Sequence, residues 1–151
     1  MRRQSKQLPD SDRLLAPSGA VENLLRDAGL RPTFQRVALG AILFANGDRH
    51  VTAEMLYHEA VQTKVPVSLA TIYNTLHKFA EAGLLRQVMV AGSTAHFDTN
   101  TSNHSHFFVA KANLLLDIPG PEVVLDKMPR APDGYEFVRA DIVVRLKRKD
   151  G

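Results

Sequence analysis

The stretch "VSLATIYNTLHKFAEAGLL", residues 67–85, constrains the fold more than any other part of the chain. Leu69, Ile72, Leu76, Phe79 and Ala80 recur at helical spacing and form one apolar stripe, while Thr71, Asn74, Thr75 and Lys78 fall on the opposite face. The spacing predicts a helix over residues 69–82, stopped by Gly83. Its outer face is short-chained, polar and free of acids. Two β-prone runs follow, "LLRQVMV" and "TAHFDTN", joined by "AGS", whose glycine suits a hairpin loop.

Upstream the same period repeats. From Ser18, the residues Val21, Leu24, Leu25 and Ala28 follow the i, i+3, i+4, i+7 rule, and Gly29 supplies a stop. "RPT" at 31–33 reopens a helix at Thr33, with Phe34, Val37, Ala38, Ala41 and Ile42 available to bury. Thr52 is a good N-cap for a further helix whose buried face is Ala53, Leu56, Tyr57, Ala60 and Val61. Three helices, a fourth with a polar outer face and then a hairpin is the order of a winged helix-turn-helix. Such a module lays its last helix in the DNA major groove and lets the wing touch the backbone. Arg31, Arg36, Arg49, Lys64, Lys78 and Arg86 punctuate this half and suit phosphates. Thr33 stands between the first two. Ser68, Thr71, Tyr73 and Asn74 are placed to reach base edges. A winged helix used for protein contacts, or a plain solvated helix face, fits the same pattern.

The second half changes character. "HFFVA" and "LLLDI" read as strands, and "GPEVVLDKMP" as a short helix entered through Pro121. "YEFVRADIVVRL" alternates, with Val138, Ala140, Ile142, Val144 and Leu146 on one face. Three strands with a single short helix cannot cover both faces of their own sheet, so an apolar face is expected to pair with a second chain as a homodimer. The organisation expected is α+β: a flexible polar segment at 1–17, a winged-helix DNA-binding domain at 18–98, and a small α/β dimerisation domain at 99–148.

The chain contains no cysteine, which excludes disulfides, thiolate zinc sites and thiol catalysis. Any metal must therefore be held by His, Asp or Glu. "NHSHFFV", residues 103–109, sets His104 and His106 two positions apart at the mouth of a strand, where both side chains point to one side. They can converge on one ligand, or form the polar edge of a half-buried strand. No apolar run approaches a membrane span, and residues 1–16 have no apolar core of signal-peptide type, so a cytoplasmic protein without membrane contact is expected. The net charge of +3 agrees only weakly with an anionic partner.

Taken in order, "AGLRPTFQRVALGAIL", "RHVTAEMLYHEA", "PVSLATIYNTLHKFAEAGLL" and "FDTN…HSHFFV" resemble the ferric uptake regulator (Fur) family across residues 20–146, and more narrowly its iron response regulator (Irr) branch. The resemblance implies a dimeric, non-enzymatic transcriptional regulator with a metal site in the hinge between its domains. Carried over residue by residue, that site is His50, Asp98, His104 and His106, a donor set that suits Zn²⁺, Fe²⁺ or Mn²⁺. The structural zinc that many members hold through Cys-x-x-Cys pairs is excluded.

The Irr branch further implies regulation by haem, with activity at low iron on AT-rich operators of iron and haem genes. A haem-delivering enzyme then becomes an expected partner. The Cys-Pro haem route is closed, since "LAPSGA" has Pro17 without a cysteine, which leaves His104 and His106 as the haem-binding pair. The alternatives are a Fur-type repressor activated by Fe²⁺, Mn²⁺ or Zn²⁺, and a His/Asp metallohydrolase, against which no general base accompanies the histidines. Asp117 aligns with a carboxylate of a second family site but has no histidine in "FVRAD" to join it, and reads as a surface acid. Phe34 stands where Irr-like chains commonly carry a basic residue. His58 and His77 read as exposed helix residues and His96 as a wing residue.

Overall fold

A computed structural model of the protein describes residues 18–121 and 125–149. The flexible segment expected at 1–17 lies outside the described residues. The chain divides into two compact units between Ser102 and Asn103.

The first unit runs α1 (Ser18–Asp27), α2 (Phe34–Phe44), β1 (His50–Val51), α3 (Ala53–Gln62), α4 (Leu69–Glu81), β2 (Arg86–Val88) and β3 (His96–Asp98). Helix starts are set by side-chain caps. Thr33, Thr52 and Ser68 each hold an extended backbone, and each accepts a hydrogen bond from the amide three residues on, that of Arg36, Met55 or Thr71. Helix ends share one device. After α1, α3 and α4, a residue with positive φ (Gly29, Lys64, Gly83) turns the chain, and the next amide reaches back to Leu25, Ala60 or Phe79. This is the Schellman arrangement that satisfies the last carbonyls of a helix. At Lys64 a non-glycine residue occupies the left-handed position, at φ 57°.

The three short strands form an antiparallel sheet in the order β1-β3-β2, with β2 and β3 as the wing. Val21, Leu25, Leu39, Leu43, Leu56, Ile72, Leu76, Phe79 and Phe97 are buried in one core under the helices and the wing. Gly40 lets α1 and α2 approach: a Cβ there would stand 2.6 Å from Val21 Cγ1. Several expectations for the buried faces fail at helix ends. Phe34 is 71% exposed, and Leu69 and Val61 are exposed as well, because the first residue of α2, the first of α4 and the last turn of α3 extend past their packing partners. Thr75, assigned to the outer face of α4, is buried, one turn on from Ile72 and next to Leu76. The unit continues to Ser102 rather than ending at residue 98, since Thr99 exchanges backbone and side-chain hydrogen bonds with Arg49.

The second unit is a three-stranded sheet in the order β5-β4-β6, from β4 (His106–Val109), β5 (Leu114–Asp117) and β6 (Val143–Leu146). Strands β4 and β5 form an antiparallel hairpin through a 3-10 turn at Ala110–Ala112 and left-handed Asn113. Strand β6 lies parallel to β4. The register puts Phe107, Val109, Leu114, Leu116, Val144 and Leu146 on one face and buries Phe108 and Leu115 on the other. The α+β class expected from the sequence is thus observed. The strand expected across "YEFVRADIVVRL" is formed only over Val143–Leu146. Its ladder can be no longer than β4, which offers four residues, and Tyr135, Phe137 and Val138 are left exposed. The helix expected after Pro121 falls partly on residues 122–124, outside the described residues, and 125–128 are not helical. Among the described residues, no helix is long and apolar enough to cross a membrane.

Candidate metal ligands and nucleic-acid interface

In the first unit, β1 and β3 bring His50 and Asp98 opposite one another in the antiparallel register. His50 Nε2 lies 3.1 Å from Asp98 Oδ2. Asp98 is 1% exposed and its other oxygen accepts the Asn100 amide at 2.8 Å, which fixes the carboxylate plane. Arg86 faces Asp98 from the other neighbouring strand, and its guanidinium donates to the Ser102 carbonyl at 3.1 Å. This buried arginine is therefore a structural cation and not the phosphate contact expected of it. Arg49, next to His50, makes a two-point pair with Glu59 of α3, which ties β1 to that helix.

In the second unit, His104 and His106 do converge, with ring centroids 4.4 Å apart. They meet a third group. Asp117 Oδ1 lies 3.1 Å from His104 Nε2 and 3.4 Å from His106 Nε2. Asp117, read as a surface acid without a histidine partner, is exposed, but two histidines lie beside it, and β5 pairs it directly with His106. The signal was present in "HSHFFVAKANLLLD", where a turn at "AKAN" folds the aspartate back onto the histidine. The spacing fits an ion. Donors held at zinc-ligand distances on a tetrahedral centre are about 3.4 Å apart, close to the separations found here. Two imidazoles and a carboxylate are borderline-hard donors that suit Zn²⁺, Fe²⁺ or Mn²⁺. His106 is 1% exposed, and its backbone is held by the Ile142 carbonyl. His96, read as a wing residue, is buried in β3, while His58 and His77 are exposed and His77 stands edge-on to Phe97 at 5.5 Å.

The residues assigned to DNA divide between two helix starts. Arg31, Thr33 and Arg36 surround the N-terminus of α2, where the Arg36 guanidinium donates to the Arg31 carbonyl at 3.0 Å. Arg31 is exposed. At α4, Ser68 caps the helix and its hydroxyl bonds that of Thr71 at 3.0 Å, while Asn74 is exposed on the next turn. The Tyr73 hydroxyl donates to Glu54 Oε1 of α3 at 2.7 Å. That hydrogen bond, then burial, then the negative charge of Glu54 hold the phenol above its usual value of 10.0. Glu54 had no place in the reading of the sequence. Only the packing of α3 against α4 brings it to Tyr73.

Four helices and a wing define a winged-helix fold, and the small sheet that follows gathers imidazole and carboxylate side chains of the kind that can hold a divalent metal. The chain belongs to the ferric uptake regulator family, which it matches over residues 27–144. The peroxide-responsive repressor PerR of Staphylococcus epidermidis is 37% identical over 100 residues, 66% of this chain and 65% of that protein. The chain thus spans just under two thirds of the length of such relatives. Among solved structures, the ferric uptake regulator of Pseudomonas aeruginosa with manganese is 27% identical at a TM-score of 0.65, covering 85% of this chain and 98% of the other. That of Vibrio cholerae shares the fold at a TM-score of 0.65 and 20% identity, over 84% and 98% of the two chains. By name these proteins are regulators and repressors.

Proposed function

We propose that the protein is a cytoplasmic, homodimeric transcriptional regulator, not an enzyme, that binds duplex DNA under the control of a divalent metal. The observation that carries the metal reading is the convergence of His104, His106 and Asp117 at ligand-ligand spacing in a chain without cysteine. We further propose that His50 and Asp98 join them on one ion, so that binding the metal couples the winged helix to the second unit and raises the population of the DNA-competent dimer. The imidazoles and carboxylates would hold Fe²⁺, Mn²⁺ or Zn²⁺, and the ion would supply a fixed charge and fixed geometry. Family membership and manganese in the Pseudomonas relative support this reading.

DNA contact falls to Arg31, Thr33, Arg36, Ser68, Thr71, Tyr73 and Asn74, at two helix starts whose phosphate and base-edge contacts would share the usual division of labour. AT-rich operators remain the expected targets. Dimerisation falls to the half-exposed apolar face of Phe107, Val109, Leu114, Leu116, Val144 and Leu146.

The Irr reading makes haem the regulatory ligand at His104 and His106, supplied by a haem-delivering enzyme, and inverts the response. His104 is partly accessible to an incoming ligand, whereas His106 is buried. The experiment that separates the two readings is a DNA-binding titration of metal-free protein with Mn²⁺, Zn²⁺ and haemin in parallel. Enhanced binding with the ions at one ion per chain, lost in both His50→Ala and His104→Ala/His106→Ala, supports the shared site. Release from DNA by haemin, with a Soret band lost in the double variant, supports the Irr reading and overturns metal activation. An ion bound undiminished in His50→Ala overturns the joining of the two ligand sets.

A further inference from the structure

The most defined polar contact between α3 and the outer face of α4 is the 2.7 Å hydrogen bond from the Tyr73 hydroxyl to Glu54. Both ends are accessible, yet the ring between them is partly packed against the core under the helices. Tyrosine on a helix surface normally samples several rotamers. Here one end of the ring is packed and the other is tethered, so its edge is presented in one orientation. A carboxylate at the tether has a second consequence. Glu54 is exposed in the first turn of α3 and bonded to the ring assigned to base reading, so a phosphate brought close to it is repelled.

We infer that Glu54 is a specificity-determining positioning residue, which fixes the Tyr73 ring for base reading and disfavours DNA registers that bring a phosphate against it. The inference rests on the DNA-binding reading proposed above. Both effects act in one direction: Glu54 lowers affinity for arbitrary DNA and sharpens the choice of sequence. A neutral amide keeps the hydrogen-bond acceptor but not the repulsion, and a methyl group keeps neither.

The test uses the full chain and a duplex enriched by the wild-type protein from a randomised pool, set against a scrambled duplex of the same composition. Glu54→Ala should reduce the ratio of the two affinities by about five- to tenfold, part of what one good base contact is worth. Tyr73→Phe, which keeps the ring and loses the tether, should reduce it by less. Glu54→Gln should restore the ring-dependent part while binding scrambled DNA more tightly than wild type. Adding Tyr73→Phe to Glu54→Ala should cost little more, because both remove one contact. Alkaline absorbance titration gives an independent readout, as the Tyr73 phenol should titrate lower in Glu54→Ala than in wild type. An unchanged affinity ratio in Glu54→Ala, with the phenol shifted, overturns the inference alone. Failure of the pool to enrich any duplex overturns the DNA reading itself.

Discussion

Asp117 stands directly across the β4–β5 hairpin from His106, and one of its oxygens reaches both His106 and His104. A carboxylate in that place does one of two things for an ion: it binds it, or it orients the imidazoles that do. In either role its negative charge favours cation binding at this sheet edge.

Asp117→Asn should therefore weaken Mn²⁺ or Zn²⁺ binding by about 10- to 100-fold, the range seen when an orienting or ligating carboxylate is lost. The fold should be retained, because Asp117 is partly exposed and stands at the end of β5. Isothermal titration of the metal-free protein, with circular dichroism as a control, checks both. Unaltered affinity would show that Asp117 neither binds the ion nor orients the histidines that do.

The helix ends offer a test of local geometry. Lys64 holds a left-handed conformation at the position that Gly29 and Gly83 occupy after the other two helices. A side chain there costs about 1–2 kcal/mol, of which the extra entropy of glycine in the unfolded chain returns part. Lys64→Gly should stabilise the protein by about 0.5–1 kcal/mol in urea unfolding. A loss of stability would mean that the lysine stem makes a contact worth more than its strain.

Gly40 makes the opposite case. Alanine would gain about 1 kcal/mol of helix propensity, but its Cβ would meet Val21 Cγ1 at 2.6 Å. Valine in a helix has essentially one rotamer and cannot swing aside. Overpacking of this kind costs about 1–3 kcal/mol, so Gly40→Ala should be destabilising by roughly 1 kcal/mol net. Val21→Ala should then cost less in the Gly40→Ala background than in wild type. Equal costs in the two backgrounds would show that α1 and α2 part freely.

What the sequence made legible followed from local periodicity and capping. Thr33 and Thr52 mark helix starts, and Gly29 and Gly83 mark stops, because these residues act on their own neighbours. The errors arose where position along an element, and not its pattern, decides burial, as at Phe34, Leu69 and Val61. "YEFVRADIVVRL" alternates throughout, but a strand lasts only as long as its partner. Within the ligand set, His104 and His106 were visible as a pair, since two positions along a strand share a side. Asp117 was set aside because its histidine partner was sought in "FVRAD" and not across the "AKAN" turn, and Glu54 was not visible at all, because only the packing of α3 against α4 brings it to Tyr73.

The apolar sheet face makes a prediction about assembly. Leu114, Leu116 and Leu146 are exposed on one side of β5-β4-β6, beside half-exposed Phe107 and Val109. Such a contiguous patch is stabilised by burial against a second copy. Sedimentation at micromolar concentration should show a dimer, and Leu114→Glu/Leu116→Glu should shift it to monomer with unchanged helix content. A monomeric wild-type protein would remove this face from the account of dimerisation.

The last prediction separates two arginines that look alike in sequence. Arg31 is exposed beside the start of α2. Arg86 is buried, donates to Ser102 and faces Asp98 across the wing. If Arg31 neutralises a phosphate, Arg31→Ala should weaken enriched and scrambled duplexes alike and lower the slope of log affinity against log salt by about 0.9, one released counterion. Arg86→Ala should leave that slope unchanged for the fraction that folds. It should instead lower stability by roughly 1.5–3 kcal/mol, the worth of a hydrogen bond made by a charged group, here to the Ser102 carbonyl. Fluorescence anisotropy over a salt series measures the slope, and urea unfolding measures the stability. A slope that falls with Arg86→Ala and not with Arg31→Ala would reverse the assignment and place the wing, not the start of α2, on the DNA backbone.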